Sequence, residues 1–301
     1  MKLALAFAAL LPSLSATAAS GPTTRARFVM GTVCEISIYP PSKMSSKQAL
    51  NTLTQAFEEI ERQDHIMSLF KENSELFRLN REAARRSVRA SENLWNVLVR
   101  SAEINRLSDG AFDPTVGPPA YGFSKVHLDP KDRSVRFDQE GLRIDPGGIG
   151  KGYALDTAAA VLRRAGVRSA LINFGGQILA LGTPPGQQDW DVEIEEAGLH
   201  LRIHDASVST SSQSEHPGHI LDPKTNRPVD RPGRVTVILP DAASADAWST
   251  ALFVSGAKAA PKDFRGCAIE TAESHAPIYA GECRKYLLNQ NSTLRVCNEI
   301  T

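Results

Sequence analysis

The spacing of apolar residues predicts several helices. One is predicted over 45–67, where apolar residues recur along one helical face: Leu50, Leu53, Phe57, Ile60 and Ile66. Similar spacing predicts helices over 93–107 and 153–165 and an apolar helix over 243–255. The motif NSELFRLNRE predicts a turn and a short helical turn between the first two helices.

Strands are predicted where apolar and polar residues alternate or where short apolar runs lie between turn residues. Residues 27–39 predict one continuous strand containing Met30-Gly31-Thr32, preceded by a polar leader. Two strands flank a Gly175-Gly176 bend, and more follow within 189–210 and in VTVILP. The motif SVRFDQEGLRID predicts a hairpin that turns near Glu140-Gly141. Because helices and strands are mixed without a repeat or a linker, we predict one α+β domain.

The motif DGAFDPTVGPPAYGF, residues 109–123, predicts an ordered loop. Its glycines and prolines exclude a helix or a central strand. It nevertheless holds Phe112, Val116, Tyr121 and Phe123, more apolar side chains than a polar linker carries. We therefore expect this loop to pack against another part of the protein.

The first residues predict export. Met1-Lys2 gives a positive start, 3–11 is almost entirely apolar, and Ala16-Thr17-Ala18 matches a cleavage site, so residues 1–18 resemble a secretory signal peptide. The apolar run falls short of the ~20 residues of a membrane span. We expect a periplasmic protein, soluble after cleavage or tethered to the inner membrane if uncleaved. No cysteine lies near the cleavage site, which excludes a lipid anchor on a mature N-terminal cysteine.

The charge balance and the cysteine spacing argue against nucleic-acid binding and against a zinc or redox motif. The 34 basic and 34 acidic residues balance, so no basic excess points to nucleic acid. The four cysteines, Cys34, Cys267, Cys283 and Cys297, lack CxxC spacing, which argues against a zinc or redox motif. Export permits disulfides. Of the three possible pairings we favour Cys283 with Cys297 as a local link in the tail; the alternative is buried free thiols.

The motif IDPGGIGKGYALD, residues 144–156, places four glycines between a short apolar run and a helix. A P-loop would need Gly at 145 and Ser or Thr at 152, where Asp145 and Gly152 stand. A dinucleotide fingerprint read from Gly148 would need Gly at 153, where Tyr153 stands. A glycine-rich turn that opens a helix still offers N–H groups to phosphate, and its carbonyls suit a hard cation. The alternative is a tight turn that only allows close packing.

Three polar residues are candidates for chemistry beside a phosphate. Asp246 and Thr250 lie four residues apart in SADAWSTALFVSG, hence on one face of the predicted helix. A carboxylate and a hydroxyl are oxygen ligands that Mg²⁺ accepts; the alternative is an ordinary solvated face. His219 is more often a structural residue when it stands alone, but beside a metal-bound phosphate it could move a proton.

Together these motifs resemble those of the ApbE family, the FAD:protein FMN transferases. The resemblance covers about 28–256 and rests on eight stretches in the family's order: MGT, SELFRLN, GAFDPTVGP, IDPGGIGKGYALD, INFGGQILALG, VSTSS, HILDPKTNRPV and ADAWSTALFVSG. It implies a single α+β domain over 19–301, related to the T-fold, with mixed or antiparallel sheets and packed helices. The tail from about 257, with its three cysteines, does not resemble the usual family ending.

The resemblance implies an enzyme that uses Mg²⁺ and takes FAD as its substrate. Family members transfer the FMN half of FAD to a Thr or Ser hydroxyl of an exported or membrane-bound flavoprotein and release AMP. The matched metal ligands are Asp246, Thr250 and a loop carbonyl, assigned to Gly148 with Gly150 as the alternative. His219 matches a histidine thought to act in the chemistry. The residues that match the FAD pocket are Met30, Phe70, Ala111, Phe112, Asp113, Asp145, Lys151 and Leu221.

Some residues depart from the family's pattern. Ser249 stands where some members carry a further acidic ligand, which predicts weaker Mg²⁺ binding. Gln177, Ser212 and Pro146 replace a common Asp, a usual Gly and an aliphatic residue. Two other functions remain open: an FAD pyrophosphatase that passes FMN to water, and a non-enzymatic periplasmic FAD-binding protein. The second would need no metal ligands, so Asp246 and Thr250 count against it.

Overall fold

The computed structural model describes residues 21–115, 117, 121–194, 198–214, 217–273 and 275–287. The predicted signal peptide and Cys297 lie outside the described residues. The helices are α1 (Ser46–Met67), α2 (Glu75–Glu82), α3 (Glu92–Leu107), α4 (Gly150–Arg164) and α5 (Ala242–Ser255). None of the helices in this described part has the length and apolar character that a membrane span requires.

The helices follow the predictions because local signals agree with the apolar spacing. The side chains of Ser45, Ser74, Ser91 and Asp241 each accept an N–H of the first turn of their helix, and Ser45 does so in a capping box. Helix α4 begins three residues before the predicted start, since the Gly150 N–H already donates to the Pro146 carbonyl at 2.7 Å. The glycine-rich motif therefore runs directly into the helix.

The strands form one large sheet and three small ones, all with antiparallel neighbours. They are β1 (Thr23–Val29), β2 (Thr32–Tyr39), β3 (Val88–Arg89), β4 (Val126–Asp129), β5 (Ser134–Phe137), β6 (Ser169–Phe174), β7 (Gln177–Leu181), β8 (Trp190–Ile194), β9 (Leu199–Ile203), β10 (Ala206–Ser212), β11 (Leu221–Asp222), β12 (Arg227–Pro228), β13 (Arg234–Leu239), β14 (Cys267–Ala272) and β15 (His275–Gly281). The large sheet has eight strands in the order β1-β2-β6-β7-β10-β13-β14-β15. Strands β14 and β15 thus incorporate part of the atypical tail into this sheet.

The large sheet separates two layers of core. Alternate side chains of its strands pack against α1, α4 and α5 on one face and against the β8–β9 hairpin on the other. A separate apolar cluster joins α2 and α3 to the three-stranded sheet β3-β5-β4. The predicted α+β fold with antiparallel sheets and packed helices is confirmed.

The predicted single strand over 27–39 is wrong, because the chain reverses at Met30-Gly31. Both residues have positive φ, 48° and 79°, and join β1 to β2 in a hairpin in which Val29 pairs with Thr32. Two successive positive φ angles suit the tight turns whose twist matches that of the strands. The predicted polar leader supplies most of β1. Alternation continues on both sides of the turn, so the apolar pattern does not reveal the reversal.

The predicted hairpin at Glu140-Gly141 is also wrong. Strand β5 pairs with β4 and β3 instead. The side-chain amide of Asn80 forms two hydrogen bonds with the backbone of Ile144. It donates to the Ile144 carbonyl at 2.9 Å and accepts from the Ile144 N–H at 2.8 Å. Because this amide replaces a strand partner, the segment after Gly141 runs toward the glycine-rich motif rather than back along β5.

The predicted pairing of Cys283 with Cys297 is wrong. Cys283 forms a disulfide with Cys267, because Cys267 pairs with Gly281 across β14 and β15 and so lies next to the chain that leaves the sheet. Cys34 is a free thiol, fully buried in β2. Burial raises the pKa of Cys34 to about 12. A thiol in this state is unreactive.

Candidate functional site

The segment 144–150, here called the glycine loop, lies between α5 and the end of α1. A Cβ built on Gly148 would lie 3.0 Å from Thr250 Oγ1 and 3.2 Å from Phe112 Cε2. A Cβ on Gly150 would instead lie 3.8 Å from the methyl carbons of Met30 and Met67. The structure therefore sets Gly148, rather than Gly150, beside Thr250.

Helices α4 and α5 are held together by two reciprocal contacts. The Gly152 N–H of α4 donates to Asp246 Oδ2 of α5 at 3.1 Å. In return Asp156 of α4 accepts the N–H groups of Ala242 and Ala243 at 2.8 and 2.9 Å, which satisfies the start of α5. These contacts fix the glycine loop relative to the helix that carries both predicted side-chain metal ligands.

Asp246 is a buried carboxylate. Its pKa is raised because burial disfavours the charged form, while the charge of Lys151, the Gly152 N–H and the Ser209 hydroxyl act in the opposite direction. No described basic side chain forms an ion pair with Asp246. A buried carboxylate without a cationic partner is costly unless it binds a cation or a proton.

A group of hydroxyls surrounds the predicted ligands between β10 and α5. Ser209 lies 3.5 Å from Asp246 Oδ1 and 3.2 Å from Ser249 Oγ. Ser211 lies 2.8 Å from Ser249 Oγ and 3.3 Å from Thr250 Oγ1. These hydroxyls orient the side chains of Asp246 and Thr250. Ser249 also donates to the Asp246 carbonyl at 2.8 Å and is fully buried.

Three of the predicted FAD-pocket residues share one apolar environment. Ala111 and Phe112 are buried in a cluster with Ile149 of the glycine loop, and Met30 packs against the same cluster. Ile220, which separates His219 from Leu221, belongs to it as well. Residues far apart in sequence thus meet beside the glycine loop, where Phe112 lies against Gly148.

The two predicted acidic pocket residues organise their own loops. Asp113 accepts from the backbone N–H groups of Thr115 and Phe123 at 2.8 and 3.0 Å, which holds these two described residues of the 109–123 loop together. Asp145 accepts from the Gly147 N–H at 2.8 Å, and its own N–H donates to the Pro114 carbonyl at 2.7 Å. The backbone of Asp145 therefore joins the glycine loop to the 109–123 loop, and the prediction that the 109–123 loop is ordered and packed holds for its described residues.

Phe70 is not part of the buried cluster. It lies just after α1 with 90% of its surface exposed. Leu221 is half-buried in β11, where it pairs with Pro228, and His219 lies two residues before it. The structure thus collects most of the predicted residues around the glycine loop and sets Phe70 at the surface.

The predicted metal set fits a hard cation that keeps water ligands. In the described part of the chain no three His, Cys, Asp or Glu side chains gather in one place. The set instead offers one buried carboxylate, one hydroxyl and one backbone carbonyl, from Asp246, Thr250 and Gly148. Oxygen-only ligands with few carboxylates suit Mg²⁺, whose remaining ligands are waters and substrate phosphates.

Sequence reasoning missed the residues that support this set. Asp156 is the last residue of IDPGGIGKGYALD. A polar residue within a predicted helix does not indicate that its carboxylate accepts the first N–H groups of another helix. Ser209 and Ser211 alternate along VSTSS, so they share one face of a strand. That alternation of hydroxyls on a buried face was the available signal.

Gln177, one of the departures from the family's pattern, lies near the start of α5. Its side-chain amide donates to the Ala242 carbonyl at 2.9 Å, while its Oε1 is buried without a hydrogen-bond partner in the described structure. Ser212, at the end of β10, lies 2.6 Å from Ser214. Gln177 is thus connected to the junction of α4 and α5, whereas Ser212 belongs to the exposed strand end.

Asp156 should make folding stability depend on pH. Burial raises the pKa of Asp156 from 3.8 to about 6, although the N–H groups of Ala242 and Ala243 lower it. The charge of Asp241 also raises this pKa, and that of Arg100 lowers it. Because the folded state binds this proton more tightly, the stabilisation is complete below about pH 4 and is lost as pH rises through about 6. We expect a loss of about 3 kcal/mol in the free energy of unfolding over this window.

Urea unfolding at a series of pH values checks this expectation against Asp156→Asn. The wild-type curve should fall relative to the variant between pH 4 and 6. Parallel curves for the two proteins would contradict it.

Comparison with known proteins identifies the family of this chain. The ApbE family model matches residues 30–121 and 119–267. FAD:protein FMN transferases of Treponema pallidum and Salmonella typhimurium are 28% and 27% identical, covering 77% and 78% of this chain and 78% and 79% of their own. The flavin transferase ApbE from Vibrio cholerae has a TM-score of 0.79 at 20% identity, over 88% of this chain and 99% of its own. The ApbE protein from Thermotoga maritima has a TM-score of 0.72 at 25% identity, over 85% and 96%. The chain belongs to the ApbE family.

Proposed function

We propose that this protein transfers the FMN part of FAD to a Thr or Ser hydroxyl of a flavoprotein and releases AMP, with Mg²⁺ bound by Asp246, Thr250 and the Gly148 carbonyl. The observation that carries the proposal is the close approach of Gly148 to Thr250 and Phe112: a Cβ built on Gly148 would lie 3.0 Å from Thr250 Oγ1 and 3.2 Å from Phe112 Cε2. Relatives named FAD:protein FMN transferase over most of this chain support the reaction.

The chain's own residues would position the reactants. The apolar side chains of Met30, Ala111 and Phe112 would hold the flavin and exclude water, and Lys151 would bring positive charge to the pyrophosphate. Mg²⁺, when bound, would neutralise phosphate charge as the acceptor oxygen attacks. Such transfers depend mainly on positioning and electrostatics. His219 would accept the proton of the attacking hydroxyl.

The acceptor is proposed to be an exported or membrane-bound protein. Two features support export of this chain: the signal-like pattern of residues 1–18 and the disulfide between Cys267 and Cys283. Disulfides persist in oxidising compartments such as the periplasm. The intact mass of the protein purified from cells tests this point, because cleavage and disulfide formation both lower it. A full-length mass would contradict cleavage.

The reaction is tested by incubating the protein with FAD, Mg²⁺ and an exported flavoprotein that carries Thr-linked FMN, the latter purified without its flavin. We expect the acceptor to gain the mass of one FMN, and AMP to appear in equal amount. Removing divalent cations with EDTA should abolish the adduct, and added Mg²⁺ should restore it.

Two results would replace the proposal. Free FMN and AMP without an adduct would identify an FAD pyrophosphatase, in which water reaches the phosphorus. Bound FAD without either product would identify a flavin-binding protein. An adduct that persists in EDTA would contradict the role of the metal.

A further inference from the structure

A cavity rich in arginine lies outside the set of residues predicted to form the candidate site. It has a volume of about 570 Å³ and lies between the end of α1, α2, β3 and the turn before β5. We call it the arginine pocket and define it by its charged lining residues: Arg78, Arg81, Arg89, Arg133, Glu72 and Glu75. None of the residues predicted to bind FAD or the metal lines it.

Most of the positive charge in the arginine pocket is unpaired. Arg78, Arg89 and Arg133 form no ion pair or side-chain hydrogen bond with any described residue. Of the pocket's arginines, only Arg81 has an ionic partner among the described residues, since its guanidinium lies 3.6 Å from a carboxylate oxygen of Glu82. The carboxylate of Glu75 accepts a hydrogen bond from the Ser91 N–H at 2.6 Å. A cluster of free guanidinium groups repels itself and favours an anionic partner, above all a carboxylate or phosphate that accepts two parallel hydrogen bonds.

Hydrogen bonds and packing contacts connect the walls of the arginine pocket to the glycine loop. Helix α2, which carries Arg78 and Arg81, also carries Asn80, whose amide exchanges both hydrogen bonds with the backbone of Ile144. Ile66, at the other wall of the pocket, packs against the cluster that contains Phe112. The walls of the arginine pocket therefore contact the backbone of the glycine loop through Asn80 and the cluster around Phe112 through Ile66.

An exposed aromatic residue follows the same wall. Phe70 lies between Ile66 and Glu72, both of which line the pocket, and 90% of its surface is exposed. Arginine and aromatic side chains are enriched in protein interfaces, whereas a large apolar side chain left in water is unfavourable. The combination fits a protein partner better than a small ion.

We propose that the arginine pocket and Phe70 together dock an acidic segment of the acceptor protein and so bring its target hydroxyl to the glycine loop. The proposal rests on the proposed function, because only a transferase needs a protein acceptor. It names the chemistry of the partner: Asp or Glu side chains near the Thr or Ser that receives FMN. The pyrophosphate of FAD has its own partners in the metal set and Lys151, so it does not account for the free arginines.

The test is the double variant Arg78→Gln/Arg89→Gln, assayed for FMN transfer to the same flavoprotein acceptor. We expect KM for the acceptor to rise about tenfold. The rate at saturating acceptor and the Kd of FAD should keep their wild-type values. Added salt should raise the wild-type KM and change that of the variant less, because exposed charges are screened. A polyglutamate peptide should inhibit the wild type competitively against acceptor, and polyglutamine should not.

The matched control is Arg163→Gln/Arg164→Gln, which removes the same charge from two exposed arginines in the last turn of α4, about 20 Å from its start at the glycine loop. Its KM for the acceptor should equal that of the wild type. A similar rise in both double variants would overturn the proposal, since it would reflect overall charge alone.

Two other results would overturn it. Weaker binding of FAD or AMP by Arg78→Gln/Arg89→Gln would show that the pocket holds the nucleotide. Wild-type KM values in that variant would show that the acceptor docks elsewhere, while the proposed function stands. A wild-type protein that forms no adduct would instead contradict the proposed function, and the docking proposal with it.

Discussion

Replacing Asp246 with asparagine is expected to reduce the rate of FMN transfer by at least about a thousandfold, equivalent to about 4 kcal/mol of activation free energy. Asparagine keeps the shape of the side chain and an oxygen for the Gly152 N–H, which Asp246 binds at 3.1 Å. It removes the one carboxylate of the predicted metal set. Initial rates of adduct formation, measured by mass spectrometry over a range of Mg²⁺ concentrations, check this result.

The matched variant is Asp241→Asn. Asp241 precedes the same helix as its N-cap, accepts the Ser244 N–H at 2.9 Å and does not belong to the predicted metal set. Its transfer rate should stay within a few-fold of the wild type. If Asp246→Asn retained a rate within fivefold of the wild type at every Mg²⁺ concentration, the metal could not be bound through this carboxylate.

The second large effect is expected for Gly152→Ala, which should lower the free energy of unfolding by about 3 kcal/mol or more. A Cβ at this position would lie 2.1 Å from the Ala242 carbonyl oxygen and 2.8 Å from Ala243 Cα. These are backbone atoms of α5, so no side chain can move aside to make room. The two helices must separate, and the hydrogen bond from Gly152 to Asp246 must lengthen or break. Thermal and urea unfolding measure the loss.

Gly150→Ala provides the comparison within the same motif. A Cβ there would meet only side-chain atoms of Pro146, Met30 and Met67 at 3.6 to 3.8 Å, which is ordinary contact. Alanine also favours a helix more than glycine does. Its unfolding free energy should therefore remain close to the wild-type value. Equal losses in the two variants would mean that the close approach of α4 and α5 does not depend on Gly152.

Much of the secondary structure could be predicted because local signals agree with the apolar pattern. Helix α1 combines apolar spacing with a capping box at Ser45, and β6 and β7 follow from two apolar runs around Gly175-Gly176. The failures have physical causes. The reversal at Met30-Gly31 depends on backbone angles, since Met30 adopts a positive φ of 48° that its residue type rarely adopts. The pairing of Cys283 depends on the register of β14 and β15, which spacing along the chain does not contain.

The candidate site was predictable as a set of motifs but not as an arrangement. Helical spacing relates Asp246 to Thr250, and nothing in the sequence relates either to Gly148. The helix that carries Asp246 and Thr250 lies beside Gly148 because α4 and α5 approach closely. That approach needs glycine at position 152, and it is held by Asp156, which accepts the first N–H groups of α5. Family resemblance supplied the assignments, and the structure supplies the physical links among them.

The reciprocal contact between α4 and α5 also bears on the order in which the chain is made. Gly152 and Asp246 are 94 residues apart, so at roughly 5–20 residues per second the glycine loop leaves the ribosome roughly 5–20 s before its partner helix. Until then Asp156 has no α5 N–H groups to accept, and the face of α4 that packs against α5 lacks its partner, although α1 is already made and can cover the rest of its buried side. During this interval the glycine loop has only its contacts with Asn80 and Pro114, and the site comes into being only after most of the chain has been synthesised.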